Sequence, residues 1–297
     1  MKYRHLGWFS LTLSILFLIS SCGTKPAEDT ADSSEEFDKA NEDLKERIQE
    51  VVYEIPSPSE IPFLLEATGA EFNETLINDN NKVEEYSSRN DNAALNLGVY
   101  AANIGYLVSY SKVQEALTYM SSAKKLADNL GVTGSFDTEL LRRFEDNLSR
   151  KDSLAYLLNE TINKTENYLK DDNRNKLAAL IITGSFIEGL YISTQLIDSY
   201  PDDILPKDSR NLVLTPLIRV VLEQEKSIED LVSMLESVEQ TEPVTSLVAD
   251  MKELKTKYSE LNIQDQIKNN RADLVLSDKT LTDITSQVAT VRKGITG

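Results

Sequence analysis

Two long stretches of this chain are almost free of charge, and they leave it few ways to fold. The 20 residues from Asn92 to Ser111 contain no Asp, Glu, Lys or Arg, and the 21 from Leu177 to Ile197 contain only Glu188. By length alone either could cross a bilayer as a helix, for which about 20 apolar residues suffice. Both, however, are dotted with Asn, Ser, Thr or Gln, and neither carries the basic flank that orients a membrane span. A helix that is apolar on all sides, in a chain with 27% charged residues, has to be covered by other helices. The two stretches are therefore expected at the centre of an all-α bundle. They also resemble each other. "AALNLGVYAANIGYLVSY" and "AALIITGSFIEGLYIST" share an Ala-Ala-Leu start, paired glycines and a tyrosine 13 positions after the first alanine, which suggests a duplicated helical unit of about 85 residues.

Around this core, apolar residues recur at three and four positions, the period of helices. Phe37, Leu44, Ile48, Val51 and Val52 give a first amphipathic helix, ended by Pro56, Pro58 and Pro62. A polar linker, "NDNNKVEEYSSRND", follows. Helices are expected near 111–130, 136–149 and 151–170, separated by Gly131, Gly134 and the "SRKD" turn. Later, Leu217, Val221, Gln224, Ile228, Leu231, Leu235 and Val238 alternate in steps of four and three, as do Leu247, Met251, Leu254, Tyr258 and Leu261. Two heptad seams interrupted at "TEPV", with Pro243 in the first turn of the second, predict a long C-terminal antiparallel helical hairpin. Leu281, Ile284, Val288 and Val291 mark one more amphipathic helix within 263–297. The multi-helix bundle domain is placed at 37–297.

The N-terminal end carries a different message. "MKYRH" supplies two positive charges, Lys2 and Arg4, and the apolar run from Leu6 to Ile19 is too short for a membrane span but suits a cleavable export signal. The run closes on Ile19-Ser20-Ser21-Cys22. These four residues resemble the lipobox of bacterial lipoproteins, and the resemblance implies a signal peptide over 1–21 and a lipid on Cys22. Residues 22–36, "CGTKPAEDTADSSEE", lack large apolar side chains and read as a disordered acidic tether. Their acidity resembles the surface-export signal of lipoproteins from the Bacteroidota. The implied place is the bacterial cell envelope, with the membrane as a partner through the lipid, on the outer membrane at its periplasmic or surface face.

Removing residues 1–21 discards the only histidine, His5, and the only tryptophan, Trp8, while lipidation consumes the only cysteine. The commonest general base and the commonest transition-metal ligand are then absent. Loss of Lys2 and Arg4 leaves 29 basic against 49 acidic side chains, a formal charge of −20, which repels nucleic acid. No cofactor or metal is expected. Ser121 and Lys124 have Ser-x-x-Lys spacing without the companion elements of penicillin-recognising enzymes, and this is read as chance. "LGVYAANIGYL", "LLRRFEDN", "KDSLAYLL" and "GSFIEGLYIST" resemble segments of uncharacterised helical lipoproteins of the Bacteroidota. That group implies the compartment and the helical fold, and no activity.

Glu188 is the candidate for function, since a carboxylate inside an apolar helix has to be neutralised, paired or brought to water. Helical spacing aligns it with Gly184, Tyr191 and Gln195, and in the other core helix Asn96, Tyr100 and Asn103 form a similar stripe. If the stripes face each other, Asn96, Tyr100, Asn103, Glu188, Tyr191 and Gln195 could line a ligand pocket. The alternative is a buried network that fixes helix register, with Glu188 paired to an arginine such as Arg219 or to tyrosine hydroxyls. The expectation is a non-enzymatic binding or scaffolding module with an envelope protein as partner, the alternative being a small-ligand binder at Glu188. An exposed apolar face on the hairpin would favour the first, and a closed polar pocket the second.

Overall fold

The computed structural model describes residues 66–67, 69–132, 138–147, 150, 153–154, 156–157, 160–161, 164, 174–201, 203, 205–261 and 264–297. Contacts divide the chain into Met1–Asp38 and Lys39–Gly297, and all described residues belong to the second unit. The signal peptide, Cys22, the tether and the helix expected over Phe37–Val52 lie outside the described residues. Among the described residues every regular element is a helix and none is a strand, so the fold is all-α.

After two short 3-10 turns, Glu74–Leu76 and Asn80–Lys82, come α1 (Val83–Tyr86), α2 (Asn90–Ser109), α3 (Val113–Asn129) and α4 (Thr138–Asp146). The later helices are α5 (Asn175–Asp198), α6 (Lys207–Leu222), α7 (Glu225–Glu236), α8 (Val244–Ser259), α9 (Gln264–Lys268), α10 (Ala272–Leu276) and α11 (Lys279–Thr296). The two charge-free stretches become α2 and α5, which make the most extensive helix pair in the bundle. α5 is long and apolar enough to cross a membrane, yet 89% of its most apolar window is buried by neighbouring helices.

α2 and α5 run in the same direction and touch backbone to backbone. A methyl group on Gly98 would collide with Ile181 O and stand 2.6 Å from Ser185 N, while one on Gly184 would collide with Leu95 O. Further along, Asn103 meets Glu188, 85 residues later. The same offset aligns the two Ala-Ala-Leu segments, so equivalent positions of the two look-alike stretches face each other.

α3 returns along α2 and ends in a left-handed glycine, Gly131, at φ +73°. Val132 N donates to Ala127 O at 2.8 Å and Gly131 N to Asp128 O at 3.1 Å, which closes the last turn. A side chain at 131 meets only Arg174 Nη1, at 3.5 Å, so the cost of Gly131→Ala is backbone strain alone. Urea unfolding of that variant is expected to show a loss of about 1 kcal/mol.

The C-terminal hairpin is present but its first arm is broken. α7 and α8 are antiparallel, as the ion pairs Lys255–Glu229 at 2.6 Å and Lys252–Glu236 show. The seam expected to run unbroken from Leu217 to Val238 parts at Glu223 and Gln224, between α6 and α7. Gln224 turns its side-chain amide onto Val220 O at 2.7 Å, which occupies a carbonyl near the break. The break lets α6 pack on α5 and α10 while α7 packs on α5 and α8. Pro243 is the N-cap of α8, one position before the first turn. The helix expected in the tail is α11, with Leu281, Ile284, Val288, Val291 and Ile295 buried against α5 and α8. At about 2 kcal/mol for each such side chain, this row contributes about 10 kcal/mol before ordering costs.

Candidate functional site

Glu188 sits in the middle of α5 with no exposed surface. Its partner is Arg292 of α11, not Arg219, which lies on the exposed side of α6. Arg292 Nε donates to Glu188 Oε2 at 2.7 Å and Nη2 donates to Oε1 at 3.1 Å. This two-pronged fork is the preferred geometry between guanidinium and carboxylate. Asn103 Nδ2 of α2 donates a third hydrogen bond to Oε1 at 2.5 Å. The Arg292 guanidinium also lies over the Tyr191 ring, 4.3 Å from its centre, and Nη2 reaches Leu76 O at 3.2 Å. One face of the guanidinium and its Nε and Nη2 donors are thereby engaged.

The network extends outward from Asn103, whose Oδ1 accepts the backbone N–H of Asn78 at 2.7 Å. The Asn78 side-chain amide donates to the Tyr86 hydroxyl at 3.0 Å, and the Tyr86 hydroxyl donates to Thr296 O at 2.9 Å. Tyr119 of α3 donates to Asn78 O at 2.5 Å. Six segments thus meet: the turn around Asn78, α1, α2, α3, α5 and α11. Tyr100 packs edge-on between Tyr86 and Tyr119, with ring centres 6.1 and 5.5 Å away, and donates to Asp79 O at 3.1 Å.

Of the six residues singled out in the sequence, Asn103, Glu188 and Tyr191 come together around Arg292. Asn96 lies on the same stripe but turns to α11, donating to Ile295 O at 3.2 Å as well as to Asn92 O at 3.0 Å. Tyr100 holds the Asp79 turn instead of the carboxylate. Gln195 is half-buried two turns beyond Glu188 and contributes no side-chain hydrogen bond to the network. Arg292, Asn78, Tyr86 and Tyr119 complete the arrangement without having been singled out.

Electrostatically the site holds charge and keeps its phenols neutral. Burial pushes the Glu188 carboxyl above the ordinary carboxylate value, and the Arg292 and Asn103 hydrogen bonds pull it partly back. Burial works against the Arg292 charge as well, but its bonds to Glu188 outweigh that and hold the guanidinium charged. Burial also pushes Tyr119 up to about 12 and raises Tyr86 and Tyr100. All three phenols are hydrogen-bond donors at neutral pH. The carboxyl and the phenols are all moved upward by burial.

Elsewhere, Ser121 donates to Leu117 O at 3.0 Å and Lys124 pairs with Asp128 at 2.8 Å, both on the surface of α3. Neither engages the other. Among the described residues no group of three or more His, Cys, Asp or Glu is placed to hold a metal ion. The apolar seam of the α7–α8 hairpin is covered, with Ile228, Leu231, Leu235, Met251 and Leu254 buried. The exposed large apolar side chains among the described residues are Tyr156, Leu212 and Leu274, none of them on that hairpin. In comparison with known proteins, no family model, no curated protein and no solved structure matches the chain.

Proposed function

We propose that the chain is a lipid-anchored, non-catalytic binding module of the bacterial envelope, tethered through Cys22 and carried by a rigid helical bundle. The observation behind the non-catalytic part is the engagement of Glu188. The one fully buried carboxylate among the described residues is taken up by Arg292 and Asn103 at 2.5–3.1 Å, which supports a clamp joining α2, α5 and α11 over a reactive group. The anchor rests on the Ile19-Ser20-Ser21-Cys22 motif behind a short apolar run. A buried network of this kind holds helix register, and the apolar seam of the α7–α8 hairpin is covered, so the binding surface is assigned to outer faces of the bundle other than that seam.

The test is metabolic labelling of the full chain in a bacterial host with an alkyne-bearing palmitate, followed by fractionation. The wild-type chain is expected to take the label and sediment with membranes. Cys22→Ala is expected to lose the label and retain its N-terminal segment. Label persisting in Cys22→Ala, or absent from the wild type, overturns the anchor.

One observation favours the small-ligand alternative. Asn96 Oδ1 is buried without a hydrogen-bond partner, and a buried acceptor of that kind commonly holds a water or a polar ligand.

A further inference from the structure

A second concave site lies away from Glu188, where the C-terminal end of α5 meets α6, α10 and the first half of α11. It is a half-open cleft of about 160 Å³. Ile218, Val221 and Leu281 belong to its apolar lining, and Val221 is 1% exposed. A buried apolar cavity of roughly 150 Å³ takes up a benzene ring, so the space suits a single ring or a chain of roughly six carbons.

The rim is polar in a particular way. Asp198 is the one charged residue among those lining the cleft. It is exposed and makes no ion pair among the described residues. It is also the last residue of α5, where the unpaired carbonyls of a helix end add partial negative charge. Thr285 and Ser286 line the same cleft, and their hydroxyls make no side-chain hydrogen bond among the described residues. A carboxylate can only accept hydrogen bonds, and hydroxyls accept as readily as they donate. The complement of this rim is a head group with several donors and a positive charge.

We propose that the cleft binds a small primary ammonium compound with a short apolar tail, its head on Asp198 and the neighbouring hydroxyls and its tail against Ile218, Val221 and Leu281. This rests on the reading of the chain as a binding module and is independent of its anchor. An ammonium on an exposed carboxylate is favoured over its neutral isostere by about threefold.

The test is an NMR titration of the full chain with three probes of one size: benzylammonium, benzyl alcohol and benzoate. Benzylammonium is expected to bind about threefold more tightly than benzyl alcohol, and benzoate more weakly than either. Asp198→Asn, an exposed change that leaves the core intact, is expected to remove that preference. Thr285→Trp is expected to block both benzylammonium and benzyl alcohol by filling the mouth. Equal affinity for benzylammonium and benzyl alcohol, a preference that survives Asp198→Asn, binding that survives Thr285→Trp, or no saturable binding by any probe overturns the proposal. Each of these leaves the labelling of Cys22 unaffected, so failure of the cleft and failure of the anchor are separate results.

Discussion

Arg292→Met is expected to lower the stability of the bundle by about 3–5 kcal/mol at neutral pH, because it leaves the Glu188 carboxyl buried without its counter-ion. The loss should be smaller in mild acid. Burial already holds the Glu188 carboxyl above its ordinary value, with Arg292 pulling against that shift. Without the guanidinium the folded-state value rises further. A group with a raised folded-state pKa contributes most below its unfolded value, and that contribution is lost as pH rises through the folded one. The variant should therefore regain stability as pH falls from 7 toward the ordinary carboxylate value of 4.5. The surface carboxylates act in the opposite sense and in a lower window. Hydrogen bonds from Arg143 and Lys164 hold Glu160 down to about 2, and Arg271 together with Lys207 holds Asp273 below its ordinary value. Their contribution is lost only as pH falls below the ordinary carboxylate range; burial also raises the Asp250 carboxyl, but the substitution leaves Asp250 unchanged, so the difference between variant and wild type from pH 5 to 7 reports Glu188. Urea unfolding of wild type and variant at pH 5, 6 and 7 measures the effect. The double change Glu188→Leu with Arg292→Met removes both charges and should recover much of the loss, as apolar replacements of buried ion pairs commonly do. A loss under about 1 kcal/mol, or one independent of pH, would mean that Glu188 has water or another counter-charge.

How much of this clamp is legible in the sequence depends on which atoms build it. Glu188 announces itself as the single charge in an apolar helix. Arg292 does so less loudly, yet it stands on the stripe Leu281, Ile284, Val288 and Ile295 at helical spacing, and a charge on a buried stripe calls for a partner. Pairing the two anomalies leads to the right arginine. Arg219, the arginine named from the sequence, lies at a solvent-facing position of α6. The contributions of Leu76 O, Asn78 N–H and Thr296 O are illegible, since every residue has a carbonyl and nearly every one an N–H. Only the path of the chain brings these three to the site.

The same distinction runs through the fold. The absence of charge places α2 and α5 at the centre, because a helix apolar on every side has nowhere else to go in a charged chain. The heptad seam from Leu217 to Val238 reports which face is apolar, but it does not report whether the axis continues. The break at Glu223 and Gln224 keeps the apolar face in phase while redirecting α7, so the pattern survives and the helix does not. The short helices α9 and α10 carry too few residues for any period to register.

Gly184→Ala is expected to cost about 3 kcal/mol, at the upper end for one added methyl group in a packed core. The methyl would meet the backbone of Leu95, not a side chain that could swing aside. α2 and α5 must separate to admit it, and separation loosens the Asn103–Glu188 hydrogen bond further along the same pair. Gly98→Ala should behave alike, since its methyl meets Ile181 O and Ser185 N. For a bundle of this size each loss corresponds to a fall in Tm of roughly 6–12 °C. The double variant should cost clearly less than the sum, because the helices that part for the first methyl make room for the second. Gly294→Ala is the control: its methyl comes no nearer than 3.8 Å, to Asp250 Oδ2, within an exposed part of α11. Helix propensity then dominates, and that variant should be stabilised by up to about 1 kcal/mol. Additive losses at 98 and 184 would show that the two glycines are not sharing one crossing. Equal losses at 184 and 294 would show that backbone contact between α2 and α5 is not what the glycine provides.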